Sequence, residues 1–140
     1  MSPEALAALH AASFARERAW SPPEISGLLA DPHIFLLTAE DGASGFALGR
    51  AVAGEAELLT LAVAPPARRQ GHGGALLSAF EAGARARGAL DALLEVAADN
   101  AGAIALYTGA GYAERGRRPA YYARSGAEAA DALLLGRALG

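Results

Sequence analysis

Leu61-Ala62-Val63-Ala64-Pro65-Pro66-Ala67-Arg68-Arg69-Gln70-Gly71-His72-Gly73-Gly74 is the stretch whose reading decides the fold. An apolar run stops at two prolines, paired arginines follow, and a glycine-rich turn opens a segment with helical apolar spacing. A buried strand feeding a tight turn and then a helix aims unpaired backbone N–H groups, and the positive end of the helix dipole, at one point. The glycines have no Cβ, so the backbone can approach an anion closely. Arg68 and Arg69 add positive charge beside it. The arrangement suits a pyrophosphate. The alternative, on the residues alone, is an ordinary strand–loop–helix connection with glycines for tight turning. No Gly-Lys-Ser/Thr follows, so this is not a Walker loop. A third glycine is missing and a strand hairpin precedes, so it does not read as a dinucleotide-binding fingerprint.

Working outward, Leu76, Leu77, Phe80 and Ala84 form the apolar stripe of a helix reaching about Arg87, with Gly88 as its C-terminal stop. Glu81 and Arg85 are expected to form an i,i+4 pair on the opposite, solvent side. Upstream, Ala56 to Val63 and Phe46 to Val52 read as strands joined through Ala53-Gly54-Glu55, the former central in the sheet. His33 to Ala39 is a buried strand, and Glu40 to Gly45 a turn cluster. Ser21-Pro22-Pro23-Glu24 is a capping box opening a helix that ends near Asp31-Pro32. Pro3 to about Phe14 is a first amphipathic helix. Downstream, Leu90 to Ala97 is a strand. Asp99 is expected to cap a helix from Asn100 to about Ala110, ended by Gly111. Tyr112 to Arg117 and Ala130 to Ala138 close the order α-α-β-β-β-α-β-α-β-β. Residues 1–140 read as one domain.

A chain of 140 residues can bury roughly 70% of its unfolded surface, so it needs no covalent or metal staple. Cysteine is absent, which excludes an acyl-cysteine intermediate outright. With only three scattered histidines (His10, His33 and His72), no metal site is expected. The formal net charge is −3 and all 12 basic residues are arginine, so no overall basic field invites nucleic acid or anionic lipid. No apolar run approaches the roughly 20 residues that span a bilayer, and no basic, leucine-rich signal pattern opens the chain. A soluble, cytoplasmic protein without membrane or nucleic-acid partners is expected.

A second motif lies downstream. Leu94-Glu95-Val96-Ala97-Ala98-Asp99-Asn100 continues to Ala105-Leu106-Tyr107 and then Gly111-Tyr112. Together with Val63-Ala64-Pro65 and Arg68-Arg69-Gln70-Gly71-His72-Gly73, it resembles the GNAT acetyltransferase superfamily, whose coenzyme loop reads Arg/Gln-x-x-Gly-x-Gly/Ala. The pattern is most similar to RimI-type alanine N-acetyltransferases, which modify a ribosomal protein. Ala19-Trp20-Ser21 with Glu24, the run Arg118 to Arg124, and Asp131-Ala132-Leu133 extend the similarity over nearly the whole chain.

The resemblance implies an α/β fold with a mixed, mostly antiparallel sheet, splayed at the coenzyme site and flanked by about four helices. It implies acetyl-CoA as cosubstrate. The coenzyme would lie along Leu61, Ala62 and Val63, with the backbone of Leu61 and Val63 holding the pantetheine arm as though it were an added strand. Backbone N–H groups of Arg69, Gln70, Gly71, His72, Gly73 and Gly74, beside Arg68, would bind the pyrophosphate. The family's usual first strand is absent or vestigial here, since only Met1-Ser2 precede Pro3. Relatives often carry arginine where this chain has Gly74 and Ala97, and both changes remove charge near the coenzyme.

Acetyl transfer to an amine needs a neutral nucleophile, a polarised thioester carbonyl and stabilisation of the departing thiolate. Glu95 lies mid-strand in an apolar run; burial would raise its pKa, which fits a general base acting directly or through a water. The bland alternative is a rim carboxylate. Tyr107, a phenol on the following helix, is the expected general acid, or else a core tyrosine. Asn100 contacts the pantetheine or joins the helix cap. His72 is expected to face solvent, and His10 and His33 to be surface or packing residues. Tyr121 and Tyr122 line an acceptor cleft or pack on a strand; Glu17 and Glu24 face an incoming ammonium or water. Without cysteine, the expected route is direct attack in a ternary complex on a protein N-terminus. The alternatives are a small-molecule amine as acceptor, or a non-catalytic acyl-CoA sensor.

Overall fold

The computed structural model describes residues 1–13, 20–124 and 126–140. Phe14, Glu17 and Ala19 lie outside the described residues. The elements follow the expected order: α1 (Pro3–Ser13), α2 (Pro22–Leu29), β1 (Ile34–Thr38), β2 (Gly45–Val52), β3 (Glu55–Val63), α3 (His72–Ala86), β4 (Asp91–Ala97), α4 (Ala101–Gly109), β5 (Ala113–Tyr122) and β6 (Ala130–Ala138), with a 3-10 turn at Pro65–Ala67. The capping box at α2 is present in full, Ser21 Oγ accepting from the Glu24 N–H and Glu24 Oε1 from the Ser21 N–H. Ala53 and Gly54 both take positive φ (53° and 82°), the two-residue turn that matches strand twist in a hairpin.

The six strands form one sheet in the order β1-β2-β3-β4-β6-β5, with β3 inside it as the sequence suggests. Every neighbouring pair is antiparallel except β3 with β4. Helices cover both faces. Leu76, Leu77, Phe80 and Ala84 of α3 pack with Ala47, Leu58, Leu94, Val96 and Leu135, and Tyr107 of α4 joins the same core. Leu6 and Leu9 of α1 and Ile25 of α2 pack on Phe46, Leu48 and Ala62, which point the other way. Alternate residues of β2 thus feed two cores, as the period of a strand requires.

Three expectations need correction. Glu81 is not on a solvent face: it is 6% exposed, and it binds Tyr112 and Arg137 rather than Arg85. Arg85 instead donates to the Leu139 carbonyl. The cap of α4 is Asn100, whose Oδ1 accepts from the Ala103 N–H, while Asp99 pairs with Arg124. The strand expected to stop at Arg117 runs on to Tyr122, through a register shift after Arg118 where Ala120 takes φ 51°.

Candidate active site

The site begins with one extra residue. In the β2–β3 ladder, Leu48 faces Thr60 but Gly49 faces Leu58, so Leu59 is a bulge on β3. A bulge bends its strand and swaps which residues face which side. Before it, Ala56 and Leu58 face the α3 core; beyond it, Leu61 and Val63 do, while Ala62 turns to the opposite core. The parallel pairing with β4 ends at this point, the last partners being Leu58 and Leu94. Beyond them β3 and β4 diverge, and a cleft of about 1060 Å³ opens between them.

The exposed edge of β3 follows from the ladder on its other side. Ala64 donates its N–H to the Ser44 carbonyl, and alternate residues of an antiparallel strand bond the same neighbour. Leu61 and Val63 therefore turn their backbone groups away from β2 and toward the cleft. The Val63 carbonyl is already taken, accepting from Ser13 Oγ at 3.2 Å and Arg68 Nε at 3.2 Å. An extended ligand arm would find both backbone groups of Leu61 and the N–H of Val63.

At the far end of the same edge stands the N-terminus of α3. Its cap residue, Gly71, is left-handed at φ 83°, and no side chain caps the helix. A Cβ at Gly71 would meet no protein atom within 4 Å, so the space beside it is open. Gly73 has a second reason for being glycine: a Cβ there would sit 3.2 Å from Leu106, so α4 closes on α3 at this point. Arg69 is also left-handed (φ 63°), a strain of about 1 kcal/mol kept in the turn. Arg68 plays more than the expected charge role, since its guanidinium ties the turn to the carbonyls of Val63 and Ser13. Free N–H groups, a glycine cradle and two arginines form a donor set that fits a diphosphate.

The two candidate catalytic groups reach the cleft from opposite faces. Leu94 and Val96 lie in the α3 core, so Glu95 between them points to the other face. Its environment corrects the expectation of apolar burial: the side chain is 23% exposed and pairs with Arg118 at 3.0 Å. Arg118 reaches it from β5, across β6. Tyr107 comes from the α3 side and is 7% exposed. Burial pushes its phenol up to about 12, and its hydroxyl makes no hydrogen bond among the described residues. The ring packs edge-on to Tyr112, with centroids 6.1 Å apart.

The cleft collects Leu61, Val63, Arg68, Arg69, Gly71, His72, Gly73, Glu95, Asn100 and Tyr107 on its walls. Three expected coenzyme residues are not among them. Ala62 is 1% exposed in the opposite core, while Gln70 in the turn and Gly74 in the first turn of α3 do not line the cavity wall. Tyr121 and Tyr122, at the end of β5 and packed edge to face on each other, both line it. His72 also lines it rather than facing open solvent. His10 is buried, stacked on Trp20 with ring centroids 4.6 Å apart, and both rings close the Glu95 side of the cleft. Sequence reading missed the bulge, Arg118, and the Asp99–Arg124 pair beside the cleft mouth. Among the described residues no three His, Asp or Glu side chains could hold a metal ion, and no helix is long and apolar enough to cross a membrane.

Comparison with known proteins bears on this geometry. Residues 4–112 match the acetyltransferase (GNAT) family. The chain is 38% identical over 104 residues, 74% of its length and 70% of the relative's, to a Salmonella typhimurium protein named [ribosomal protein bS18]-alanine N-acetyltransferase. It is 37% identical over 129 residues, 88% of its length and 80% of the relative's, to the Mycobacterium tuberculosis N-alpha-acetyltransferase RimI. Among solved structures, the ribosomal-protein-S18-alanine N-acetyltransferase of Escherichia coli superposes with a TM-score of 0.87 at 30% identity, covering 99% of this chain and 88% of that one.

Proposed function

The chain belongs to the acetyltransferase (GNAT) family, and we propose that its acceptor is the N-terminal α-amino group of a protein, with alanine in first position and a ribosomal protein as the cellular substrate. It is an acetyl-CoA-dependent N-acetyltransferase of RimI type. The proposal extends to the roles of the individual residues, to residues 1–140 acting as one catalytic domain, and to action in the cytoplasm. The observation that carries it is the slot through the sheet: a carboxylate enters from one face, a phenol from the other, and an open strand edge leads from both to an uncapped helix N-terminus.

Acetyl-CoA supplies an acyl group activated as a thioester. The N–H groups of His72, Gly73 and Gly74, with Arg69 alongside, receive its diphosphate. Leu61 and the Val63 N–H align the pantetheine arm as an added strand, and the side-chain NH2 of Asn100, whose Oδ1 caps α4, lies beside it. Glu95 takes the proton from the acceptor amine, directly or through one water. An α-amino group titrates near pH 8, so a usable neutral fraction exists without a strong base. As the C–N bond forms and the C–S bond breaks, a backbone N–H near Val63 polarises the carbonyl. Holding both reactants in one slot supplies much of the acceleration.

The role of Tyr107 is narrower than proton delivery. A thiol titrates near 8.5, so a phenol at about 12 gives its proton to a thiolate only uphill. Tyr107 instead donates a hydrogen bond to the sulfur as charge develops there. The proton lost in the reaction is the one Glu95 removes from the amine. High pKa suits this donor role, because the phenol stays protonated at every working pH.

The test is mass spectrometry of peptides beginning with alanine, incubated with acetyl-CoA and the protein, beside a polyamine and a free amino acid. Acetyl gain at the peptide α-amino group, absent from N-terminally blocked copies, is the expected result. Acetylation of the small amines with none on the peptides overturns the assignment of acceptor.

A further inference from the structure

Tyr112 and Glu81 have no part in the chemistry so far, yet they form one of the most buried polar groupings in the molecule. Glu81 of α3 is 6% exposed. Its Oε2 accepts from the Tyr112 hydroxyl at 2.9 Å and from Arg137 of β6 at 2.9 Å. These three residues join the helix before β4, the loop after α4 and the last strand. A carboxylate removed from water this far is costly unless charged and hydrogen-bonded partners satisfy it, and here both are supplied. Burial, together with the hydrogen bond donated to Glu81, holds the Tyr112 phenol well above its usual range, so the hydroxyl remains a donor.

Tyr112 grips Tyr107 in two ways. Its backbone N–H donates to the Tyr107 carbonyl at 3.1 Å, while the N–H of Gly111, at φ 96°, donates to Thr108 at 3.1 Å. This is a Schellman ending, in which a residue just past the helix also packs on the one it bonds. The packing partner is Tyr107 itself, ring edge to ring face. The phenol at the slot thus rests on a ring whose far end is fastened to α3 and β6.

We propose that Glu81, Tyr112 and Arg137 form a brace that positions the Tyr107 ring, with Tyr112 as a positioning residue for departure of the thiolate. The proposal rests on the donor role given to Tyr107 above. Loss of the brace lets the Tyr107 ring tilt; it leaves the coenzyme loop, about the α3 N-terminus, unchanged. The effect therefore belongs in kcat and not in the KM for acetyl-CoA.

A double-mutant cycle tests it. Tyr112→Phe keeps the ring and removes its anchor. Its kcat is expected to fall about tenfold, a loss of one hydrogen-bond's worth of positioning, with KM for acetyl-CoA within about twofold. In a Tyr107→Phe background, the same change is expected to have no further effect. Glu81→Gln, whose amide oxygen still accepts from Tyr112, is expected to keep most of the turnover. If Tyr112→Phe fails to fold, Glu81→Leu with Arg137→Met removes the same anchor as a matched apolar replacement and should show the same drop in kcat. An equal fall of kcat with Tyr107 present or absent overturns the brace, as does unchanged kcat in a well-folded Tyr112→Phe. A Tyr107→Phe enzyme that turns over like the parent removes the underlying donor role, and the brace with it.

Discussion

Two helices of this chain begin in opposite ways. At α2, Ser21 and Glu24 satisfy each other's backbone donors, and the helix start is closed. At α3, Gly71 offers no side chain, no cap is made, and the first N–H groups stay open toward a cleft. A cap of the first kind contributes about 1 kcal/mol, so leaving α3 without one costs stability. Arg69, in its left-handed conformation in the turn before α3, adds a further cost. The closed start belongs to folding alone. The open one is a site that waits for an anion, and the free energy missing from the fold is available when the diphosphate arrives.

The contrast can be broken most severely at Gly71. Gly71→Val puts a β-branched residue at φ 83° and a side chain into the open cradle. Two charge-assisted hydrogen bonds lost should weaken CoA binding on the order of 100-fold or more, measured by titration calorimetry on protein that still melts cooperatively. Gly74→Asp sharpens the contrast by adding a negative charge to the first turn of α3, next to the open N–H groups. The protein should gain about 1 kcal/mol in denaturant unfolding, from helix propensity and dipole together, while CoA binds about tenfold more weakly. Ser21→Ala is the mirror experiment: it should lose about 1 kcal/mol of stability and leave CoA affinity unchanged.

The effect farthest from the coenzyme loop concerns the buried phenols. Tyr107 titrates at about 12 in the fold against about 10 when unfolded, so its neutral form is favoured by folding. That contribution is whole below pH 10 and is lost as the pH climbs through 12. Tyr112 shifts in the same direction. Stability of the parent should therefore fall across that window, and Tyr107→Phe should flatten the slope in pH-dependent unfolding.

The element order was legible because its punctuation is local. Prolines, a capping box and turn glycines each act within a few residues, and the two apolar periods do the rest. What escaped reading is long-range. The bulge at Leu59 lies in the run Leu58-Leu59-Thr60-Leu61-Ala62-Val63, where Thr60 alone breaks the apolar series, so one extra residue has no signature. Glu81 looked like a surface partner of Arg85 because that spacing is local, whereas its actual partners lie 31 and 56 residues away. Arg118 reaches Glu95 only because β6 sits between their strands. The coenzyme loop could be read from its own chemistry. The faces from which Glu95 and Tyr107 enter the slot could not, since they depend on where the sheet splits.

The central claim is that the uncapped start of α3 holds the coenzyme diphosphate, and its backbone amides report on this directly. Amide ¹H–¹⁵N spectra recorded during a CoA titration should show His72, Gly73 and Gly74 shifting as the ligand saturates, while Glu24 and Ile25 at the closed start of α2 stay in place. CoA that binds with those three amides unmoved would contradict the account.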